Sequence, residues 1–226
     1  MKIIAASDSS LLVVFGNAIS SGLQQRVLAL FHALQARQDS AIRNLHPAYA
    51  SLLIDFDPLQ MTHDEVTELV ESMLRDEQAT VTNKSAVVNI PACYDAEFGL
   101  DLADVARHAN LAVEEVVRLH SSATYLVCFL GFSPGFAYLG GLPEVLQTPR
   151  LSTPRRMVAG GSVGIAGSQT GIYPMDSPGG WKLVGRTPLR MFDPLAQPPT
   201  RLQPGDQVRF TAVDRATFEK LQQERG

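Results

Sequence analysis

The residues best suited to binding chemistry lie in the second half of the chain, where glycine, proline and aromatic residues alternate. The densest runs are GFSPGFAYLGG (131–141), GGSVGIAG (160–167) and SPGGWK (177–182). Glycine lets a backbone approach a ligand closely and proline fixes a loop, so this composition favours a binding surface. The tight turns of a β-barrel produce a similar composition. The candidate binding residues are Phe132, Ser133, Pro134, Gly135, Phe136, Tyr138, Gly161, Ser162, Gly179, Gly180, Trp181 and Lys182.

Two of these runs match the Gly-x-Ser-x-Gly pattern of serine hydrolases, around Ser133 and Ser162. Neither has the surroundings that a nucleophilic serine needs. Pro134 follows Ser133 and has no backbone N–H to contribute to an oxyanion hole, and Ser162 lies in a strand-like run with no helix after it. The sequence therefore argues against a serine hydrolase.

Arginine and histidine side chains near this segment are suited to an anionic substrate. Arg155 and Arg156, with Arg150 close by, carry planar guanidinium groups that bind a carboxylate or a phosphate through two hydrogen bonds. Solvated surface arginines are the alternative. His120 ends a predicted helix, where it would serve as an acid or base or would simply interact with the helix dipole.

Composition excludes several classes of function. The 226 residues have a formal net charge of −4 and scattered positive residues, which argues against nucleic-acid binding. The glycine loops that bind nucleotide phosphates are absent, and the five histidines lack metal-binding spacing, so no metal site is expected. The apolar run Leu11–Phe15 is too short for a signal peptide or a membrane span, which predicts a cytoplasmic protein. In that reducing compartment Cys93 and Cys128 should stay unpaired.

Hydrophobic patterning predicts an α/β module in the first part of the chain, because strand-like apolar runs alternate there with amphipathic helical ones. Thr62 and Glu65 form a capping box that should begin one of the helices. The other expected elements are a strand at Leu11–Phe15, a helix from Ala18 to Ala36, hairpin strands at Ile42–Leu45 and Ala50–Phe56, and a last strand at Ala86–Ile90. A domain border is predicted between residues 84 and 92.

The second part of the chain predicts mainly β structure after two short helices. Those helices are expected at Asp101–His108, with Asp101 as N-cap, and at Val113–Leu119. Glycines and prolines then separate short strands, as in an all-β barrel. The predicted strands are Leu126–Leu130, Ser162–Ile165, Leu183–Val184 and Gln207–Thr211. The sequence thus predicts an α+β protein with two domains, residues 1–88 and 89–226.

Taken together, these motifs resemble the family that contains the B subunit of 5-oxoprolinase, the kinase inhibitor KipI, and allophanate hydrolase subunit 1 or the carboxyltransferase segments of urea carboxylase. The resemblance covers nearly the whole chain and is strongest from Phe98 to Asp193. Its hallmarks are LHS (119–121), LGFSPGFAYLG (130–140), PR at 149–150 and 154–155, GSVGIAG (161–167), QTGIYP (169–174), SPGGW (177–181) and GRT (185–187).

The resemblance implies a small N-terminal α/β domain of ferredoxin-like type and a C-terminal cyclophilin-like β-barrel. It also implies the B subunit of an ATP-dependent 5-oxoprolinase, which hydrolyses 5-oxo-L-proline to L-glutamate. The implied partners are a homologous KipA-like C subunit, related to allophanate hydrolase subunit 2, and a LamB/YcsF-like A subunit. ATP would bind to this complex, on this chain or on one of its partners. The alternatives are a KipI-like inhibitor of a sensor histidine kinase and a urea or allophanate carboxyltransferase component.

A reaction of this kind phosphorylates an unreactive amide oxygen and needs cations and hydrogen-bond donors around the resulting oxyanions. The glycine-rich run 160–167 offers backbone donors, and Arg186 of the GRT motif joins the candidate binding residues. Our residue-level candidates for catalysis are His120, Arg155, Arg156, Gln169 and Tyr173.

Overall fold

The computed structural model describes residues 1–75 and 87–224. The chain divides into two compact units, Met1–Lys84 and Ser85–Gly226, and each unit has a hydrophobic core of its own. The domain border predicted between residues 84 and 92 falls partly on residues 76–86, which lie outside the described residues. In the part of the chain that is described, no helix has the length and apolar character needed to cross a membrane.

The first unit is an antiparallel four-stranded sheet with helices. Its elements are β1 (Lys2–Ser7), β2 (Ser10–Val14), α1 (Ser21–Arg37), β3 (Ile42–Pro47), β4 (Ser51–Phe56) and α2 (His63–Arg75). The strand order is β1-β2-β4-β3, so β4 lies between the two strands that α1 connects. This is a split β-α-β arrangement. Patterning did not predict β1, because most of its side chains are exposed on both faces.

Burial alternates along the inner strands of this sheet, and the buried face packs against the helices. In β4 the side chains of Leu52, Ile54 and Phe56 are buried, while the residues between them are partly exposed, as expected for a strand with one face in the core. Val27 and Phe31 of α1 pack in the same cluster, since they recur on one face of the helix.

Helix α2 begins at the predicted capping box. The Thr62 hydroxyl oxygen accepts a hydrogen bond from the Glu65 backbone N–H at 3.3 Å, and the Glu65 carboxylate accepts one from the Thr62 backbone N–H at 2.7 Å. These bonds satisfy donors that have no partner within the helix. The hydrogen bonds that the Glu65 carboxylate accepts from the Thr62 backbone N–H and hydroxyl lower the pKa of Glu65. The predicted start of this helix is confirmed.

The second unit is a barrel-like sheet with a separate strand pair and helices packed around it. Its elements are β5 (Val87–Ala92), α3 (Leu102–Ala109), α4 (Val113–Ser122), β6 (Tyr125–Leu130), β7 (Ala137–Gly140), a 3₁₀ helix (Glu144–Leu146), β8 (Arg155–Val158), β9 (Ser162–Ala166), β10 (Gln169–Ile172), β11 (Ser177–Gly179), β12 (Lys182–Arg186), β13 (Gln207–Ala212) and α5 (Arg215–Gln223).

Seven of these strands form one nearly closed sheet. Their order is β12-β9-β10-β7-β6-β13-β5, with β5 and β13 parallel and the other neighbours antiparallel. The two ends of the sheet meet where Cys93 follows β5. The Cys93 and Arg186 backbones exchange hydrogen bonds of 2.8 and 2.9 Å. A mixed α+β protein with a barrel-like sheet is therefore confirmed. Cys93 and Cys128 are both buried.

The prediction that the Asp101 side chain caps the start of α3 is wrong. Asp101 precedes the helix, but its side chain makes no capping hydrogen bond. One carboxylate oxygen accepts from Arg155 Nη2 at 2.8 Å, and the other accepts from the Leu183 backbone N–H at 2.7 Å. The carboxylate is nearly fully buried, so it ties the start of α3 to β8 and β12 instead of capping the helix.

Candidate functional site

A mainly aromatic cavity of about 310 Å³ lies on the outer side of the barrel in the second unit. This volume is at the lower end of the range seen for small-molecule sites. Loops after β6, β7 and β11 supply most of its walls. The lining residues are Phe132, Phe136, Tyr138, Arg150, Leu151, Pro154, Tyr173, Pro178, Gly179, Gly180 and Trp181.

The aromatic walls hold one another in place. Phe136 is buried at the centre, with its ring nearly perpendicular to those of Tyr173 (centroids 5.2 Å apart) and Trp181 (5.4 Å). Tyr138 contacts Trp181 at 5.7 Å, and Phe132 meets Phe136 at 5.6 Å. Edge-to-face pairs of this kind restrict ring motion, so the walls are preformed.

Glycine is required beside Tyr173. A Cβ atom added to Gly179 would lie 2.2 Å from the Tyr173 hydroxyl oxygen and 2.7 Å from the ring. A Cβ on Gly180 would meet Pro154 only at the ordinary contact distance of 3.5 Å. Burial raises the pKa of Tyr173, against a smaller lowering from the Trp181 backbone, so Tyr173 is a neutral phenol at the cavity wall.

Arg150 brings positive charge to the cavity. Its guanidinium carbon lies 5.8 Å from the centroid of the Trp181 ring, which places the cation over the aromatic face. Burial raises the pKa of Tyr138, and the charge of Arg150 opposes that rise. The cavity thus combines apolar walls, phenol groups and one guanidinium.

The loop between β6 and β7 has an unusual backbone at the cavity mouth. Phe132 adopts φ = +67° although it is not glycine, and its side chain is 64% exposed. Gly135 has φ = +82°, and a Cβ there would lie 2.8 Å from Phe192. The Ser133 hydroxyl oxygen is buried with no hydrogen-bond partner among the described residues. Such strain in a bulky residue is common at functional sites.

Arg155 is not one of the lining residues. Its Nη2 atom is paired with Asp101, and its Nη1 atom is buried without a partner in the described part of the chain. Arg156 is an exposed residue of the same strand. Two of the three arginines singled out in the sequence therefore do not line the cavity, and the one that does is Arg150.

His120 is fully buried inside the barrel and does not reach the cavity. Thr170 donates its hydroxyl hydrogen to the Gly164 carbonyl at 3.0 Å, so it accepts from His120 Nε2, also at 3.0 Å. Nδ1 is then the acceptor for the Tyr94 hydroxyl at 2.8 Å. Burial lowers the pKa of His120 to about 3, so the ring is neutral and holds Tyr94 and Thr170 together.

The other predicted residues lie in the barrel unit, outside the cavity lining. Lys182 binds Asp104 at 3.0 Å. Arg186 donates from Nε to the Gly160 carbonyl at 2.9 Å. Gly161 has φ = +85° and no room for a side chain, Ser162 is buried in β9, Gln169 starts β10 partly exposed, and Pro134 is exposed beside the mouth.

The structure thus brings together seven of the predicted residues as cavity lining: Phe132, Phe136, Tyr138, Tyr173, Gly179, Gly180 and Trp181. Leu151, Pro154 and Pro178 were not among the predicted site residues, although Pro154 and Pro178 lie in the PR and SPGGW motifs, and Arg150 was noted only as a neighbour of other arginines. The PR motif at 149–150 was the available signal for Arg150. Among the described residues, no group of three or more His, Cys, Asp or Glu side chains could hold a metal ion.

Comparison with known proteins defines the class. Residues 1–202 match the family described as "Carboxyltransferase domain, subdomain C and D", and the chain belongs to this family. It is 36% identical to the 5-oxoprolinase B subunit of Bacillus subtilis over 96% of this chain and 95% of that protein. It is 39% identical to the 5-oxoprolinase B subunit of Haemophilus influenzae over 93% of this chain and 97% of that protein.

Longer proteins and solved structures share the same region. Urea amidolyase of Saccharomyces cerevisiae is 27% identical over 96% of this chain, which corresponds to 13% of that protein. The crystal structure of TTHA0988 superposes with a TM-score of 0.80 at 36% identity, covering 91% of this chain and 40% of that chain. A structure of PH0987 from Pyrococcus horikoshii has a TM-score of 0.58 at 44% identity, covering 96% of this chain and all of that chain.

Proposed function

We propose that this chain is the B subunit of an ATP-dependent 5-oxoprolinase, which opens the ring of 5-oxo-L-proline to give L-glutamate. The observation that carries the proposal is the similarity to two curated 5-oxoprolinase B subunits over nearly the full length of each. The preformed aromatic cavity supports it, because its size and walls suit a small ring.

Within this proposal the cavity residues hold the lactam ring, and Tyr173, one of the polar groups of the wall, hydrogen-bonds with it. A neutral phenol can donate to the amide oxygen, where negative charge develops when the amide is activated. His120 and Arg155 act indirectly, by holding β10 and β8 in place through Thr170 and Asp101. Arg156 and Gln169 lie outside the lining, and we assign them no catalytic role.

ATP fits this cavity poorly. A triphosphate needs several cations, but Arg150 is the cationic side chain among the described lining residues. Arg155 and Lys182 nearby are already paired with Asp101 and Asp104. We therefore propose that ATP binds elsewhere in the complex.

We further propose that the chain works with a homologous KipA-like C subunit and a LamB/YcsF-like A subunit. The longer TTHA0988 chain supports a physical partner, since this chain corresponds to 40% of it. We also propose that the first unit is a permuted ferredoxin-like domain, with β1 in the place of the last strand. The nearly closed sheet supports a cyclophilin-like description of the second unit.

The test is glutamate release from 5-oxo-L-proline and ATP by the three co-expressed subunits, with a control that omits only this chain. Glutamate formation that depends on this chain is the expected result. Replacing Gly179 by Ala in the complex should lower the rate, because the new methyl group displaces Tyr173. The control is Gly22→Ala, since Gly22 does not line the cavity and a Cβ atom there meets nothing within 4 Å. A correctly assembled complex that releases no glutamate contradicts the proposal.

A carboxyltransferase component is the second candidate function, favoured by the similarity to yeast urea amidolyase. Urea-dependent carboxylation with a biotin carboxylase and carrier, in the absence of glutamate release, would support this candidate over the first. No separate observation favours the KipI-like inhibitor.

A further inference from the structure

Arg150 differs from the other cations near the cavity because its guanidinium has no protein anion as a partner. In the described part of the chain no hydrogen bond or ion pair engages this group, and its observed contact is with the Trp181 ring face. Arg155 and Lys182, in contrast, are each bound to a carboxylate. A guanidinium that lies over an aromatic ring and has no anionic partner keeps its N–H groups available for a ligand.

The surroundings of Arg150 define what that ligand must look like. Trp181 and Tyr173 form flat walls beside it, and Phe136 fixes both rings. Gly179 and Gly180 also line the cavity and add no side chain to it. A planar fork next to flat apolar walls matches a small ring that carries a carboxylate.

We infer that Arg150 is the specificity-determining residue of this cavity and binds the carboxylate of a small cyclic amide whose ring packs against Trp181. The inference rests on the proposed function and identifies the group of the substrate that this chain recognises. The ring contributes apolar contact, and the carboxylate selects against neutral lactams of the same shape. Arg150 orients the substrate and takes no part in proton transfer.

The experiment compares two ligands that differ in the carboxylate, 5-oxo-L-proline and 2-pyrrolidinone. The full chain is titrated with each and followed by the fluorescence of Trp181, its single tryptophan. The variants are Arg150→Ala, Arg150→Lys and the matched control Arg156→Ala, which removes an exposed arginine that does not line the cavity. The KM for 5-oxo-L-proline is also measured in the assembled complex.

Arg150→Ala should weaken binding of 5-oxo-L-proline by about tenfold or more, the usual effect of losing a charge-assisted contact, with little change for 2-pyrrolidinone. The affinity of Arg150→Lys for 5-oxo-L-proline should fall between those of the wild type and Arg150→Ala, since lysine keeps the charge but lacks the planar guanidinium. In the complex, KM should rise more than kcat falls.

Three binding results overturn the inference: a wild-type chain with no preference for the carboxylate ligand, an Arg150→Ala variant that behaves like Arg156→Ala, or equal weakening for both ligands. The proposed function and the role of Arg150 can be refuted independently of each other. If the wild-type complex releases no glutamate but the chain still selects the carboxylate through Arg150, only the reaction assignment is wrong. If the complex is active and its KM is unchanged in Arg150→Ala, only the role of Arg150 is wrong.

Discussion

Acid should destabilise the barrel unit through His120. Burial lowers the pKa of this residue to about 3 from its ordinary value of 6.5. The folded state therefore binds a proton more weakly than the unfolded state, so stability decreases as the pH falls below 6.5 and levels off near pH 3. At pH 4.5, two pH units below the unfolded pKa, the loss amounts to about 3 kcal/mol at about 1.4 kcal/mol per unit.

The assay is urea unfolding of the full chain between pH 7.5 and 4.5, followed by the fluorescence of Trp181, which lies in the second unit. His120→Gln is the comparison, because its amide keeps a donor and an acceptor but does not titrate. Between these pH values the wild type should lose about 3 kcal/mol more than the variant. Titrating carboxylates are common to both proteins and cancel in the difference.

A constant offset between the two proteins at every pH reflects packing and is compatible with this reasoning. Parallel losses of stability in acid are not compatible with it. They would mean that protonated His120 is accommodated by the fold, and that burial does not keep the ring neutral.

The remaining predictions concern the cavity wall. Phe132→Gly should leave the free energy of unfolding unchanged or raise it by up to about 1 kcal/mol, since glycine accepts φ = +67° without strain. The same substitution should weaken ligand binding. A loss of several kcal/mol in urea unfolding would contradict this prediction. Gly179→Ala should cost about 1–3 kcal/mol by crowding Tyr173, whereas Gly180→Ala should cost little; equal melting temperatures for the two variants would refute the close contact.

The sequence predicted those elements whose signals are local. The helix at His63–Arg75 has a capping box with both partners three residues apart, and β4 alternates apolar residues over its whole length. Strands β7, β8, β10 and β11 were missed because they are three or four residues long and most include glycine or proline. Their stability comes from pairing with distant strands, which leaves no periodic pattern.

The aromatic part of the cavity was predictable because its residues cluster in the glycine-rich runs. The role of each charged side chain was not predictable from the sequence. Asp101 reads locally as a helix cap, but its partners Arg155 and Leu183 are far along the chain. Because Arg155 is paired with Asp101, Arg150 is the cation available in the cavity. His120 is buried by strands that are distant from it in the sequence.

The closure of the barrel has a consequence for its motion. Most neighbouring strands share a register of three to six residue pairs. Among the described residues, a single bridge, Cys93–Arg186, joins the two ends of the sheet, and Asp101 adds hydrogen bonds to Leu183 beside it. Partial opening of a fold begins where the fewest hydrogen bonds must break. The barrel should therefore open first between the end of β5 and β12. Because Arg186 also donates a hydrogen bond to the Gly160 carbonyl, this opening would loosen the glycine-rich turn before it disturbs the rings of the cavity.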